Sequence, residues 1–331
     1  MIPASVLEKL VSKLLVQEER EALRGSFIEL IEEFYQPQSI HVYTSGLRGI
    51  VSYRGNNLAD LTVRDIMHSD VAPVLLSHDM SLYAAVDLKS LQIVRLNEST
   101  IDLYVPLHQG GIVGAVLVLK GLNSDIVEDS VWQNLLQAYN NLNRMLYSAE
   151  MDPLTGLMNR LAFDRLVNRQ TIDEKQITKE SANTYFALVD IDFFKKINDN
   201  FGHLYGDEVL ILLTRAMSDS FRSVDWLFRY GGEEFAIVLS DVNAQEAHLV
   251  LERFRENIAS MNFPQVGKVT VSIGFSRMVH IEAASLLVDR ADHALYYAKD
   301  HGRDQVLCYE TLCEQGLLKE SVQDEGDIEL F

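Results

Sequence analysis

Two apolar segments of strand length, Trp226–Tyr230 and Phe235–Leu239, are separated only by Gly231-Gly232-Glu233-Glu234. So short a connection implies an antiparallel hairpin, and glycine supplies the positive φ or close backbone approach of a tight turn. Most glycine pairs between strands do no more than that. Two adjacent glutamates on the tip of an apolar hairpin, however, are not needed for folding. A further carboxylate, Asp190, ends another apolar strand, Tyr185–Val189. If these strands neighbour each other in one sheet, Asp190 and Glu234 meet, repel and ask for a cation. Oxygen ligands with no histidine or thiol nearby favour Mg²⁺, which keeps several waters and takes phosphate oxygens as its other ligands.

The elements around this hairpin alternate. A helix is expected from about Tyr205 to Phe221, and a second one capped by Asn243 carries Leu249, Leu251, Phe254 and Ile258. Lys268–Ser276 alternates apolar with polar or small residues and reads as a strand with one buried face. A helix from Ala283 to Lys299 and a last strand, Gln305–Tyr309, follow. A sheet covered by helices fits this order, an α/β (α+β) fold.

Composition excludes several classes. With 331 residues, of which 29 are basic and 48 acidic, the formal charge is −19. That field repels phosphate, so non-specific binding to nucleic acid or an anionic membrane is disfavoured, and a phosphate ligand needs local cations or a metal. The cysteines are two, Cys308 and Cys313, too few for a disulfide framework or a zinc cluster. No segment approaches the ~20 apolar residues of a membrane span. Leu7, Leu10, Val11, Leu14 and Leu15 recur at helical spacing among charged residues, unlike a signal peptide. A soluble cytoplasmic protein is expected.

The run Asp190-Ile-Asp-Phe-Phe-Lys-Lys-Ile-Asn198 is followed by Gly202-His203 and Gly206-Asp207. Asn and Asp suit a guanine edge, since a carboxylate accepts from the ring N–H and the exocyclic amine. Asp207 taken alone is a first-turn acid favoured by the helix dipole. Together with Arg229-Tyr-Gly-Gly-Glu-Glu-Phe235, with Asp152-Pro-Leu-Thr-Gly-Leu-Met-Asn-Arg160 and with Ala298-Lys-Asp-His-Gly-Arg303, this order of motifs resembles the GGDEF domains of diguanylate cyclases, in the variant with Glu at the third position. The resemblance covers about Met151 to Tyr309.

The resemblance implies a palm-like nucleotidyl-cyclase sheet and the condensation of two GTP into cyclic di-GMP and two pyrophosphates. It places Mg²⁺, for which Mn²⁺ can substitute, on Asp190, Glu234 and the Ile191 carbonyl. Glu233 becomes the base near the ribose 3′-hydroxyl, Asn198 and Asp207 read guanine, and Phe194 and Lys195 line the phosphates beside Gly232. Lys299 and Arg303 pair with the β- and γ-phosphates. One domain holds one GTP, so two must face each other in a homodimer. Arg222-Ser-Val-Asp225 stands at the offset of the family's inhibitory product site, with Arg253 as a weaker third member. An isolated pattern of that kind is usually a surface ion pair. A catalytically silent module that only binds cyclic di-GMP or GTP is the alternative, and a purely structural dimerisation protein explains no carboxylate placement.

Residues 1–129 read as an α/β domain with helical spacing over Phe27–Phe34 and strands at Ser39–Tyr43, Gly49–Tyr53, Ile101–Pro106 and Ile112–Leu119. This order resembles a GAF sensor domain whose signal is unknown. Without cysteine it cannot carry a thioether-linked bilin, and His41, His68, His78 and His108 look scattered, structural or exposed. In Ser130–Glu150, Trp132, Leu135, Leu136, Tyr139, Leu142 and Leu146 form one stripe, which fits either packing on its own domain or a connector pairing two protomers. Asp152-Pro153 marks the boundary to a domain spanning 151–313. Glu314–Phe331, with six acids and one base, reads as a solvated, disordered tail.

Overall fold

The computed structural model describes residues 12–17, 19–44, 61–68, 71–109, 112–172, 183–222, 224–278 and 284–319. The chain divides into two compact units, Met1–Ala149 and Glu150–Phe331. Among the described residues no helix is long and apolar enough to cross a membrane.

The first unit runs α1 (Arg20–Tyr35), β1 (Ser39–Thr44), β2 (Thr62–Asp65), β3 (Val74–Leu75), α2 (Met80–Asp87), β4 (Gln92–Arg95), β5 (Thr100–Gln109), β6 (Ile112–Asn123) and α3 (Ser130–Glu150). Its antiparallel sheet has the order β3-β2-β1-β6-β5-β4. The expected strand at Gly49–Tyr53, the first turns of the helix at Leu7–Leu15 and residues 320–331 lie outside the described residues. Of the two readings of Ser130–Glu150, packing on its own domain describes most of its stripe. Val131, Trp132, Leu135 and Tyr139 are buried in one core with Leu23, Phe27 and Ile31 of α1 and Leu103, Val105, Leu117 and Leu119 of the sheet. Phe27 stacks on Tyr139 at 4.3 Å between ring centroids. The aromatic half of the helix, expected as a connector between residues 130 and 150, completes this core, and the first compact unit ends at Ala149.

The second unit runs β7 (Met158–Asn159), α4 (Arg160–Ile172), β8 (Tyr185–Ile191), α5 (Phe194–Phe201), α6 (His203–Ser220), β9 (Trp226–Arg229), β10 (Glu234–Leu239), α7 (Ala244–Ser260), β11 (Val271–Arg277), α8 (Ala284–Asp300), β12 (Val306–Cys308) and α9 (Tyr309–Glu314). The sheet order is β12-β11-β8-β10-β9-β7. Its inner neighbours are antiparallel, while β12 and β7 pair in parallel at the edges. Every residue of β8 is buried, so both faces of the sheet are covered. Odd-numbered positions such as Ala187, Val189, Phe235, Ile237, Val271 and Ile273 pack under α6 and α7. Even-numbered ones such as Phe186, Leu188, Ala236 and Val238 meet Phe163 and Val167 of α4 and Leu287, Ala291 and Leu295 of α8. This period of two fixes which face each polar residue at a strand end will share. Asn243 caps α7, as the sequence predicts, and Glu246 completes a reciprocal capping box with it.

The first residues of the expected tail, Glu314–Lys319, are held on the domain. Leu317 donates its N–H to the Leu312 carbonyl, and Leu318 packs against the cluster of Ala294, Tyr309 and Leu312. Two leucines are enough to hold Gln315–Lys319 against the domain despite the acidic composition that follows.

Candidate active site

The β8–β10 ladder pairs Phe235 with Val189, Ala236 with Leu188, and, at its end, Glu234 with Asp190. Directly opposed residues of an antiparallel pair share a face, with Cβ atoms about 4.5–5.5 Å apart, and like charges so placed repel. The two carboxylates lie on the even-numbered face, toward α8. From the last turn of α8, Lys299 Nζ reaches Asp190 Oδ2 at 2.8 Å. Burial pushes the Asp190 carboxyl above its ordinary pKa against the pull of Lys299, and the Glu234 and Asp192 carboxylates push the same way. Burial raises Glu233 too, followed by the charge on Asp190, with Lys299 opposing and Glu234 adding to the rise. Asp190 and Glu233 thus both feel the charge of one lysine and of the neighbouring Glu234. An all-oxygen cluster with excess negative charge fits a hard divalent cation.

The hairpin tip is held from behind. Arg229 donates to both oxygens of Asp152, at 3.1 and 3.2 Å, and to the Gly232 carbonyl at 2.8 Å. Asp152 also accepts from the N–H and hydroxyl of Thr155. A Cβ on Gly231 would stand 2.5 Å from Glu234 Oε2, so a side chain there would displace that carboxylate. The backbone of the turn therefore lies close to the carboxylate it presents.

Behind β8 the chain turns through Phe193, which adopts the left-handed region at φ 58°. Its exposed ring is flanked by two cations, Lys196 Nζ at 4.2 Å and the Arg303 guanidinium at 4.6 Å. Arg303 is thereby placed near the start of α5, beside exposed Lys195. Phe194 does not line a ligand surface with its ring, which is buried in the core near Gly206 because the first turn of α5 must pack on α6. Only its backbone is left for a phosphate. Asn198 Oδ1 occupies the space a Cβ on Gly206 would need, 2.0 Å away, so the amide rests on the first turn of α6 next to exposed Asp207. Ile191 ends β8 with its side chain fully buried.

Asp192, which the sequence does not single out, is the main tie in this region. It is buried and accepts from Thr270 Oγ1 at 2.7 Å, Ser272 Oγ at 2.7 Å and Asp304 N at 3.1 Å. The turn after Asp190 is thereby bonded to β11 and to the loop carrying Arg303. Arg229 and Asp152 lie inside quoted motifs, but nothing in the sequence pairs them. Away from this cluster, Arg222 bonds Asp225 through Nε at 3.3 Å, a terminal nitrogen at 3.0 Å and its own N–H at 2.8 Å. Asp225 is 1% exposed at its side chain and Arg222 51%. Arg253 donates to the Ser220 carbonyl at 3.0 Å, two residues from Arg222.

Residues 149–305 match the family model for the GGDEF domain of diguanylate cyclases. The diguanylate cyclase DgcP of Pseudomonas aeruginosa is 35% identical over 54% of this chain and 26% of its own length. The response regulator PleD of Caulobacter vibrioides is 38% identical over 51% of this chain and 38% of its own length. The chain thus spans well under half of these curated relatives. Among solved structures, the GGDEF domain of DgcB from Caulobacter crescentus in complex with c-di-GMP is 33% identical over 49% of this chain and 94% of that one, with a TM-score of 0.45. By its motifs and its family match, the segment 149–305 of this chain belongs to the GGDEF family.

Proposed function

We propose that the chain is a diguanylate cyclase that joins two GTP molecules into cyclic di-GMP and two pyrophosphates, working as a homodimer. The observation that carries this reading is the register that sets Glu234 opposite Asp190, with Glu233 on the adjoining tip and Lys299 at 2.8 Å from Asp190. Asp190, Glu234 and the Ile191 carbonyl would hold Mg²⁺, or Mn²⁺ in its place, and the ion would neutralise charge on the α-phosphate and the departing pyrophosphate. Glu233, whose pKa is raised, takes the proton of the ribose 3′-hydroxyl. That oxygen bonds to the α-phosphorus of the other GTP, and the bond from this phosphorus to the bridging oxygen of the leaving pyrophosphate breaks. Lys299 and Arg303 pair with the β- and γ-phosphates, and the opening N–H groups of α5 at Phe194 and Lys195 face the same oxygens. Asn198 and Asp207 orient guanine, and Gly232 keeps the tip thin enough for the nucleotide. Each domain supplies one half-site, so only a two-fold pair aligns both attacks.

Arg222, Asp225 and Arg253 form the inhibitory product site in this reading, with the bidentate Arg222–Asp225 pair presenting its exposed guanidinium edge to cyclic di-GMP. The first unit acts as a GAF-like sensor and dimerisation domain for an unidentified signal in the cytoplasm, and α3 carries its state to the cyclase domain. The test is incubation of the pure chain with GTP and Mg²⁺, with the nucleotides resolved by chromatography. Cyclic di-GMP from the parent and none from Glu234→Gln is expected. Binding of cyclic di-GMP without turnover would leave the chain a silent sensor. Arg222→Ala should turn over GTP while losing product inhibition.

A further inference from the structure

His41 and His68, far apart in the sequence reading, converge. His41 Nδ1 lies 2.7 Å and His68 Nδ1 2.8 Å from the same atom, Asp65 Oδ2. The other carboxylate oxygen is tied to backbone, accepting from Val42 N at 3.1 Å and Met67 N at 3.0 Å. Asp65 is 1% exposed at its side chain, while His41 and His68 are 21% and 43% exposed. The carboxylate is therefore fixed in orientation by β1 and the turn after β2, with one oxygen aimed at two imidazoles that reach solvent. Tyr43 pairs with Asp65 across the β1–β2 ladder, so the strand register itself supports this placement.

We propose that His41, Asp65 and His68 bind a borderline divalent transition ion, represented by Zn²⁺. Two imidazoles and one carboxylate suit Zn²⁺ and its first-row neighbours and do not suit Mg²⁺. Bond lengths of about 2.0–2.2 Å in a tetrahedral site set neighbouring ligand atoms roughly 3.4 Å apart. The present spacings of 2.7 and 2.8 Å require each imidazole to withdraw by less than about 1 Å, a rotamer adjustment at partly exposed side chains. The ion replaces the Nδ1 protons, and each neutral imidazole then carries its proton on Nε2. Ser39 Oγ stands 3.0 Å from His41 Nε2, where it accepts that proton's hydrogen bond. Such an outer partner holds a ligating histidine in the metal-binding tautomer. Three protein ligands leave a fourth position for water.

The test uses the full chain, stripped with a chelator and titrated with Zn²⁺ in excess Mg²⁺, which keeps the carboxylates of the cyclase site occupied. One equivalent of Zn²⁺ is expected by calorimetry, and Co²⁺ should give the visible absorption of a four-coordinate site. His68→Ala and His41→Ala should each weaken Zn²⁺ binding by more than about a hundredfold, beyond the roughly 10–100-fold loss typical of an outer partner. His68 is the more exposed ligand, so its variants should keep the parent melting temperature, and His68→Gln repeats the measurement with a side chain of similar length. Zn²⁺ affinity unchanged in both His68 variants, or no Zn²⁺ uptake by the parent, would overturn the proposal.

Discussion

Replacing Asp192 tests how the proposed cyclase site is held. Its two oxygens serve three donors: Oδ2 takes Thr270 Oγ1 and Asp304 N, and Oδ1 takes Ser272 Oγ. In Asp192→Asn the amide oxygen can occupy the Oδ2 position and keep two of these bonds. The new NH₂ then faces Ser272 Oγ, and that hydroxyl can turn round and accept. What is lost is the charge on the acceptor, about 1–2 kcal/mol. In Asp192→Ala all three bonds disappear, and the part-buried Asp304 N–H and Thr270 hydroxyl and the buried Ser272 hydroxyl lose their partner. At about 1–3 kcal/mol for each group left unsatisfied, partly relieved by water, the loss is roughly 4 kcal/mol. For a domain of this size 1 kcal/mol corresponds to about 2–4 °C, so calorimetry should show falls of about 2–8 °C for Asn and about 8–16 °C for Ala. Turnover should fall in the same order, because the loop bearing Arg303 is released. Asn and Ala variants that melt within a degree of each other would refute the reasoning.

Gly206→Ala should raise the KM for GTP about tenfold with little change in melting temperature, since the new methyl displaces the Asn198 amide and such a contact carries ~1–3 kcal/mol; an unchanged KM contradicts the guanine assignment. Arg229→Met should lower both stability, by about 2 kcal/mol, and kcat, because Asp152 and the Gly232 carbonyl lose their shared donor; a variant with the parent's kcat would show that the clamp does not position the tip. Burial alone would raise the Asp152 carboxyl, but hydrogen bonds from Thr155 and Arg229 outweigh it and hold the pKa below the ordinary value. Its stabilisation is then complete above a pH of about 4 and is lost as pH falls through the lowered pKa. The stability gap between the parent and Asp152→Asn, read by denaturant titration, should be wide at neutral pH and narrow in acid; a gap that does not change with pH would refute it.

Much of the GGDEF domain is legible because its signals are local. The hairpin at Trp226–Leu239 announces itself by a period of two and a glycine turn, and α7 by its cap and apolar spacing. The short elements escaped. β2 spans four residues and β7 two, too few for a period to register. α5 follows a left-handed Phe193, a conformation no residue-type rule assigns to phenylalanine. The motifs carry the proposed site residues, but they do not carry the ties that hold them. Asp192 meets Thr270 and Ser272 some eighty positions away, and His41 meets Asp65 across a chain segment that offers no periodic pattern. Hydrogen-bond partners distant in sequence leave no trace in local composition, so a buried aspartate and a solvated one read alike.

The pairing of Glu234 with Asp190 has a consequence for how the protein tolerates change. Sliding β10 along β8 by one residue would send Phe235, Ile237 and Leu239 to the wrong side and strand them among the contacts of α4 and α8. The hydrophobic interior thus acts as a vernier for the acidic pair, and alignment errors are rejected by greasy residues that never meet a nucleotide. Mutations that soften this interior should therefore blunt chemistry at the rim before they unfold the domain.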